Sequence, residues 1–222
     1  MGTLYLVRHG QASFGSDDYD RLSELGQRQC VRLGEWWRAK GIVFEAALVG
    51  TLRRQTESLQ GIAQGLQRQV QPLSWPGLNE YDSEAVIRTV HAGPLPRPAS
   101  ADDVRHHFRL LRDGLGRWMA AAAQPEGMPT YAEFAAGVSG ALDHVRSRHG
   151  GNVLLVSSGG PIATAVGQVL GMAPQATIEL NLRIRNSAVT EFVFTPRRHM
   201  LLTYNTLPHL DAPEHAQWVT YT

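Results

Sequence analysis

Short apolar runs alternate with longer amphipathic ones through the first third of this chain, and that alternation restricts the possible folds more than any other feature. Residues 4–7, LYLV, read as a buried strand that ends in Arg8-His9-Gly10. Residues 23–41, SELGQRQCVRLGEWWRAKG, follow with Leu25, Cys30, Leu33, Trp36 and Trp37 near helical spacing and Gly41 as a stop. EAALVG (45–50) then reads as a second strand and TLRRQTESLQGIAQGLQ (51–67) as a second helix. A β-α-β-α order predicts an α/β fold with a mainly parallel sheet covered by helices. In such sheets ligands sit beyond the carboxyl ends of the strands, which is where Arg8 and His9 fall.

The middle of the chain breaks the pattern. Residues 91–100, HAGPLPRPAS, contain Pro94, Pro96 and Pro98 and exclude a regular helix or a central strand. Residues 81–128 are therefore read as an insertion within a single domain spanning 1–222, carrying a helix or two that include DDVRHHFRLLRDGLGRWM. Thr130 and Glu133 form a capping-box pattern, opening a helix on which Tyr131, Phe134, Val138, Leu142 and Val145 share a face. NVLLVSSGG is the next buried strand, with Pro161 suited to the first turn of a following helix. SAVTEFVF and MLLTYN, separated by residues 195–199, predict a hairpin.

Composition removes several functions from consideration. Of 222 residues, 43% are hydrophobic and 18% charged, which supports a sizeable core rather than disorder. Lysine and arginine number 21 against 20 acidic residues, so no global field recruits nucleic acid or an anionic membrane surface. Any cationic site must be local. Cys30 is the sole cysteine, which excludes an internal disulfide and a multi-cysteine metal site and fits a reducing compartment. With no secretory leader pattern and no run of about 18 apolar residues, a cytoplasmic location is expected. Oligomeric state is not legible.

Three stretches carry candidate chemistry. Arg8-His9-Gly10 is readable as an incidental surface pair, but Gly10 would let backbone approach a ligand and a guanidinium matches phosphate oxygens with forked donors. In TLRRQTES, Arg53 and Arg54 open a helix whose amino end is already partly positive, so an anion is expected there, with Arg54 facing it and Arg53 solvated. Glu80, in GLNEYD after Pro76-Gly77, would alone be a surface carboxylate; beside two arginines it is a candidate general acid.

Together these pieces resemble the histidine phosphatase superfamily, the phosphoglycerate mutase-like group. LVRHGQ matches its first strand, LSELGQRQ is similar to L-T-x-x-G-x-x-Q, TLRRQTES to S-x-L-x-R-x-x-E-T, LNEYD to the L-x-E acid loop and YNTLPHL to N-x-x-x-H-L. The resemblance implies a three-layer sandwich with the helical insertion over the active site. It also implies that His9 is the nucleophile forming a phosphohistidine, that Arg8 and Arg54 hold phosphoryl oxygens, and that Glu80 protonates the leaving oxygen and later activates water. Gln11 and Ser13 are further candidate phosphate ligands. Since arginines can supply the charge stabilisation, no metal or other cofactor is expected.

One position departs from the family. Where its pattern is V-S-H-G-G, this chain has VSSGG, with Ser158 at the second histidine. A serine nucleophile elbow is excluded because Val156 stands where glycine is required. Ser158 is readable as a helix cap, with Gly159 beside it contributing an amide to the phosphate. His91, His106 or His107 of the insertion is a candidate substitute for the missing imidazole, and a histidine restored at position 158 should raise turnover if space remains. The leading function is then a metal-independent phosphatase acting on a small phosphomonoester, slowed by the serine. A binding-only pseudo-enzyme for a phosphorylated ligand is the alternative, and a sugar-phosphate mutase ranks third.

Overall fold

The structure, a computed structural model, describes residues 1–13, 20–93 and 100–221. The proline-rich stretch at Pro94, Pro96 and Pro98 lies outside them.

The first-third alternation folds as β1 (Gly2–Arg8), α1 (Glu24–Ala39), β2 (Ala46–Val49) and α2 (Arg53–Leu66). Ser23 caps α1 by accepting from the Gly26 amide, and Gly41 ends the turn beyond it with φ of 69°. A two-residue strand, β3 (Leu73–Ser74), and a 3₁₀ turn at Pro76–Leu78 follow. Residues 81–128 contain α3 (Ser83–Arg88) and α4 (Ala101–Met119), and the Thr130/Glu133 capping box opens α5 (Tyr131–Arg148). The final third is β4 (Asn152–Ser157), α6 (Gly159–Leu170), α7 (Pro174–Asn181) and the hairpin β5 (Val189–Phe194) to β6 (His199–Thr206). Neither β3 nor α7 was expected: β3 is too short to show a period, and α7 is marked only by Pro174 in its first turn.

The sheet order is β3-β2-β4-β1-β5-β6. β3, β2, β4 and β1 run parallel, and the β5–β6 hairpin adds an antiparallel edge. Side chains alternate across the sheet and feed two cores. Leu4, Leu6, Val153 and Leu155 pack against Val138, Leu142 and Val145 of α5 and Ile162 and Val166 of α6. Val7, Leu154 and Val156 pack on the other face against Cys30, Leu33 and Trp37 of α1 and Leu59, Ile62 and Leu66 of α2. A third cluster, Val86, Leu111, Leu115, Trp118, Phe134 and Ile178, ties α3 and α4 to α5 and α7.

Because β1, β2 and β4 are parallel neighbours, their carboxyl ends share one edge. Arg8 pairs with Ser157 in register, and the His9 amide donates to the Ser157 carbonyl at 2.9 Å. This convergence puts Arg8-His9, Gly50 and Ser158 side by side.

Candidate active site

His9 continues from the end of β1 and is buried. Its Nδ1 lies 2.7 Å from the Gly10 carbonyl and its Nε2 accepts from Arg54 Nε at 3.3 Å. A carbonyl only accepts and a guanidinium only donates, so the proton belongs on Nδ1 and the lone pair on Nε2. Burial first, then the Arg8 and Arg54 charges, hold the His9 pKa well below the ordinary 6.5, with the Gly10 bond opposing. The ring is therefore neutral at pH 7. Gly10 has a second reason beyond the sequence expectation: a Cβ there would strike the Gly26 carbonyl of α1, so the glycine permits close packing of β1 against that helix. Arg8 is anchored by Nη1, which donates to Ile184 O at 2.6 Å and Tyr221 O at 3.0 Å.

The two arginines of α2 divide as expected. Arg53 is exposed and its Nε pairs with Glu57 at 2.7 Å, one turn along the helix. Arg54 is 8% exposed and points at His9. The anion expected at this helix end is present as a side chain: Asp20 accepts from the Arg53 amide at 2.8 Å and from Arg54 Nη1 at 2.6 Å. Sequence reasoning missed Asp20, since nothing in its spacing distinguishes it from Asp17 and Asp18.

Glu80 follows the Pro76–Leu78 turn. Both its oxygens accept from the Gly160 amide, at 3.1 and 3.2 Å, and Oε1 also accepts from the Tyr81 amide at 3.3 Å. Burial raises its pKa above the ordinary carboxyl value, opposed by the Gly160 bond and the Arg54 and Arg8 charges. Gly160 must be glycine here, since a Cβ would collide with Glu80 Oε1. Tyr81 is held in turn, its hydroxyl accepting from Asn181 Nδ2 at 2.8 Å.

Ser158 occupies the N-cap position of α6 and is fully buried, but its side chain makes no capping bond, contrary to the cap reading. Instead its Oγ accepts from Gln55 Nε2 at 2.8 Å. Gln55, also fully buried, was passed over in the sequence. A glutamine on the stripe otherwise formed by Leu59, Ile62 and Leu66 was the available signal. A histidine at position 158 has to pack against this amide, and its expected gain in turnover depends on that space.

The remaining candidates are placed as follows. Gly159 is the first residue of α6, beside the Gly160 amide already given to Glu80. Gln11 faces away toward α1, its Oε1 accepting from Ser23 Oγ at 2.9 Å, and the Ser13 amide donates to Arg21 O at 2.7 Å. Of the insertion histidines, His91 and His106 face one another with ring centroids 6.3 Å apart, His106 contacts Arg109 and His107 contacts Phe108. Among the described residues no group of three or more His, Cys, Asp and Glu side chains could hold a metal ion. No helix there is long and apolar enough to cross a membrane.

A sheet of this order, with a histidine and an arginine at the end of β1 and a second arginine in the first turn of α2, defines a known class. The sequence profile of the histidine phosphatase superfamily, branch 1, matches residues 4–207, and the chain belongs to that family. Among solved structures, a phosphoserine phosphatase from Entamoeba histolytica in complex with phosphoserine superposes with a TM-score of 0.64 at 18% identity, over 95% of this chain and 100% of that one. A phosphoglycerate mutase from Bacillus anthracis gives 0.67 at 19% identity, over 94% of each chain. A mycobacterial glucosyl-3-phosphoglycerate phosphatase gives 0.64 at 20%, over 93% and 99%. Comparison with curated protein sequences returned no match.

Proposed function

We propose that the protein is a metal-independent phosphatase that hydrolyses a small phosphomonoester through a phosphohistidine at His9. The observation that carries this reading is the His9 ring: buried, neutral, and fixed with its Nε2 lone pair toward the Arg54 guanidinium. A histidine kept only to bind an anion would serve better charged.

The steps balance with residues in place. His9 Nε2 attacks phosphorus as the bond to the leaving oxygen breaks, and Glu80, kept protonatable by its burial, gives that oxygen its proton. Arg8 and Arg54 stabilise the charge on the non-bridging oxygens. Glu80, now a carboxylate, takes a proton from water; the water oxygen bonds to phosphorus, the N–P bond breaks, and Nε2 recovers its lone pair. Family membership, the phosphatases among the structural neighbours and the acid held on Gly160 support this cycle. One observation favours the alternative, a binding protein for phosphorylated ligands: a neutral serine stands where the family pattern has its second histidine.

The deciding experiment is hydrolysis of an aryl phosphate in the presence of a chelator by wild type and His9→Ala. The reading expects measurable turnover that falls at least about 10³-fold in the variant, with an acid-labile, base-stable adduct mapped to His9 after brief incubation with a phosphodonor. Equal turnover in the two proteins overturns it. Phosphate binding without turnover establishes the binding protein instead.

A further inference from the structure

Ser158 and Gln55 form a buried polar pair beside the candidate phosphate site. They sit on different elements, α6 and α2, and come together because Gln55 directly follows Arg54 while Ser158 lies two residues before Gly160, which holds Glu80. The pair is therefore flanked by an arginine proposed to hold phosphate and by the proposed acid.

The orientation of the Gln55 amide follows from its other partners. Oε1 accepts from the Leu52 amide at 3.3 Å, and Nε2 donates to the Leu78 carbonyl at 2.9 Å. A backbone N–H cannot accept and a carbonyl cannot donate, so the amide has one allowed orientation. The second Nε2 hydrogen then points at Ser158 Oγ, 2.8 Å away. Ser158 must accept that bond, so its own O–H has to donate elsewhere. Among the described residues no acceptor is seen to take it: the side chain makes no capping bond, and Leu78 O, the carbonyl shared by Ser157 and Gln55, already receives Ser157 Oγ at 2.7 Å and Gln55 Nε2 at 2.9 Å. A fully buried hydroxyl whose hydrogen has no acceptor is costly unless something in the working site accepts it.

We infer that Gln55 is a positioning residue: by donating into Ser158 Oγ it aims the serine hydroxyl hydrogen at the phosphoryl group, so that Gln55 and Ser158 together do the work of one donor. This rests on the phosphatase reading of the site and adds to it Gln55, which stands at an unspecified position of the TLRRQTES motif. A donor held by a second hydrogen bond keeps its direction without reorganisation, and accepting one bond strengthens the bond it gives. The arrangement also accounts for a serine being usable here at all, since an unaided hydroxyl rotates freely.

The test is a double-mutant cycle with Gln55→Met, which keeps length and volume but not the donor, and Ser158→Ala. The affinity of inorganic phosphate is read by calorimetry and kcat/KM on an aryl phosphate beside it, with melting temperature followed throughout. Ser158→Ala is expected to weaken phosphate binding about tenfold, as loss of one hydrogen bond to a charged ligand does. Gln55→Met should weaken it by a similar factor when serine is present and by less than about twofold when alanine is. Equal losses in both backgrounds overturn the inference, making Gln55 a packing residue only. So does unchanged phosphate affinity in Ser158→Ala, a variant that removes a single oxygen and settles the question even if Gln55→Met does not fold. Wild type that fails to bind phosphate at about 10 mM, above typical KM values, also overturns it. Turnover that survives His9→Ala while the binding cycle still shows coupling removes the covalent mechanism and leaves the role of Gln55 intact.

Discussion

Two helix amino ends meet at the site, and each presents its backbone to a carboxyl group. At α2, Asp20 accepts from the Arg53 amide and Arg54 Nη1; at α6, Glu80 accepts from the Gly160 amide. The backbone electrostatics are alike. The surroundings are not. The Asp20 side chain is 37% exposed and lies against a guanidinium at 2.6 Å, whereas burial dominates at Glu80 and raises its pKa. A helix end alone thus does not set the surroundings of a carboxyl group; water exclusion and the distance to a full charge differ between the two.

The comparison can be broken most directly at the α2 end. Arg54→Ala should lower kcat/KM on an aryl phosphate by about 10² to 10³, with Lys recovering only part because it lacks the fork. Arg53→Ala, which loses only an exposed pair with Glu57, should stay within about threefold. Comparable losses at both positions would show that the helix end, not the placement of Arg54, carries the function.

The α6 end is tested through leaving groups. Glu80→Gln keeps the size of the side chain but supplies no proton, so turnover of alkyl phosphates should drop about 10²-fold or more while nitrophenyl phosphate loses much less. A uniform drop across leaving groups would assign Glu80 to structure.

Stability against pH sharpens the contrast between buried and exposed groups. His9 is held below its ordinary pKa, and His209, buried with Nε2 2.9 Å from Ser187 Oγ, is held down at about 3 by burial, with the Arg32 and His215 charges adding. Depressed histidines stay neutral in the fold and take up protons on unfolding. Their contribution is therefore present above the ordinary 6.5 and lost as pH falls. Chemical denaturation between pH 7 and 5 should show a loss approaching about 1.4 kcal/mol per pH unit for each such histidine, with His209→Gln removing one share. Glu80 runs the other way: its raised pKa favours the fold at low pH, and that contribution is lost as pH rises through the raised value. A flat profile would mean that the two histidines are hydrated in solution.

The smallest effect is expected at Asp20. Its carboxylate occupies the Arg54 donor that a phosphate would use, so Asp20→Asn should tighten inorganic phosphate by about threefold at low salt. Weaker binding would mean that Asp20 orients Arg54 more than it competes for it.

Much of this was readable in the chain. Alternating LYLV and AALV with amphipathic stretches specifies parallel strands under helices, because burial on both faces demands apolar runs and crossovers demand helices. The motifs around His9, Arg54 and Glu80 were legible for the same reason: each is a short local pattern at an element's end. Asp20 and Gln55 were not, since each acquires its meaning from a partner far along the chain, Arg54 for one and Ser158 for the other. The packing of Gly10 against α1 was not legible either, since Gly26 lies 16 residues along the chain.

What the sequence by itself determined is the family, the sheet with its helical layers, and the residue types placed at the ends of β1 and β4 and the start of α2, because periodicity and residue type act locally. Only the tertiary structure decided their states. Which nitrogen of His9 carries its proton, that burial raises the Glu80 pKa, and that Ser158 accepts from Gln55 are set by carbonyls, amides and charges that α2, β4 and α6 bring together from distant parts of the chain. Hydrogen-bond direction and desolvation are properties of three-dimensional neighbours, and no local pattern encodes them.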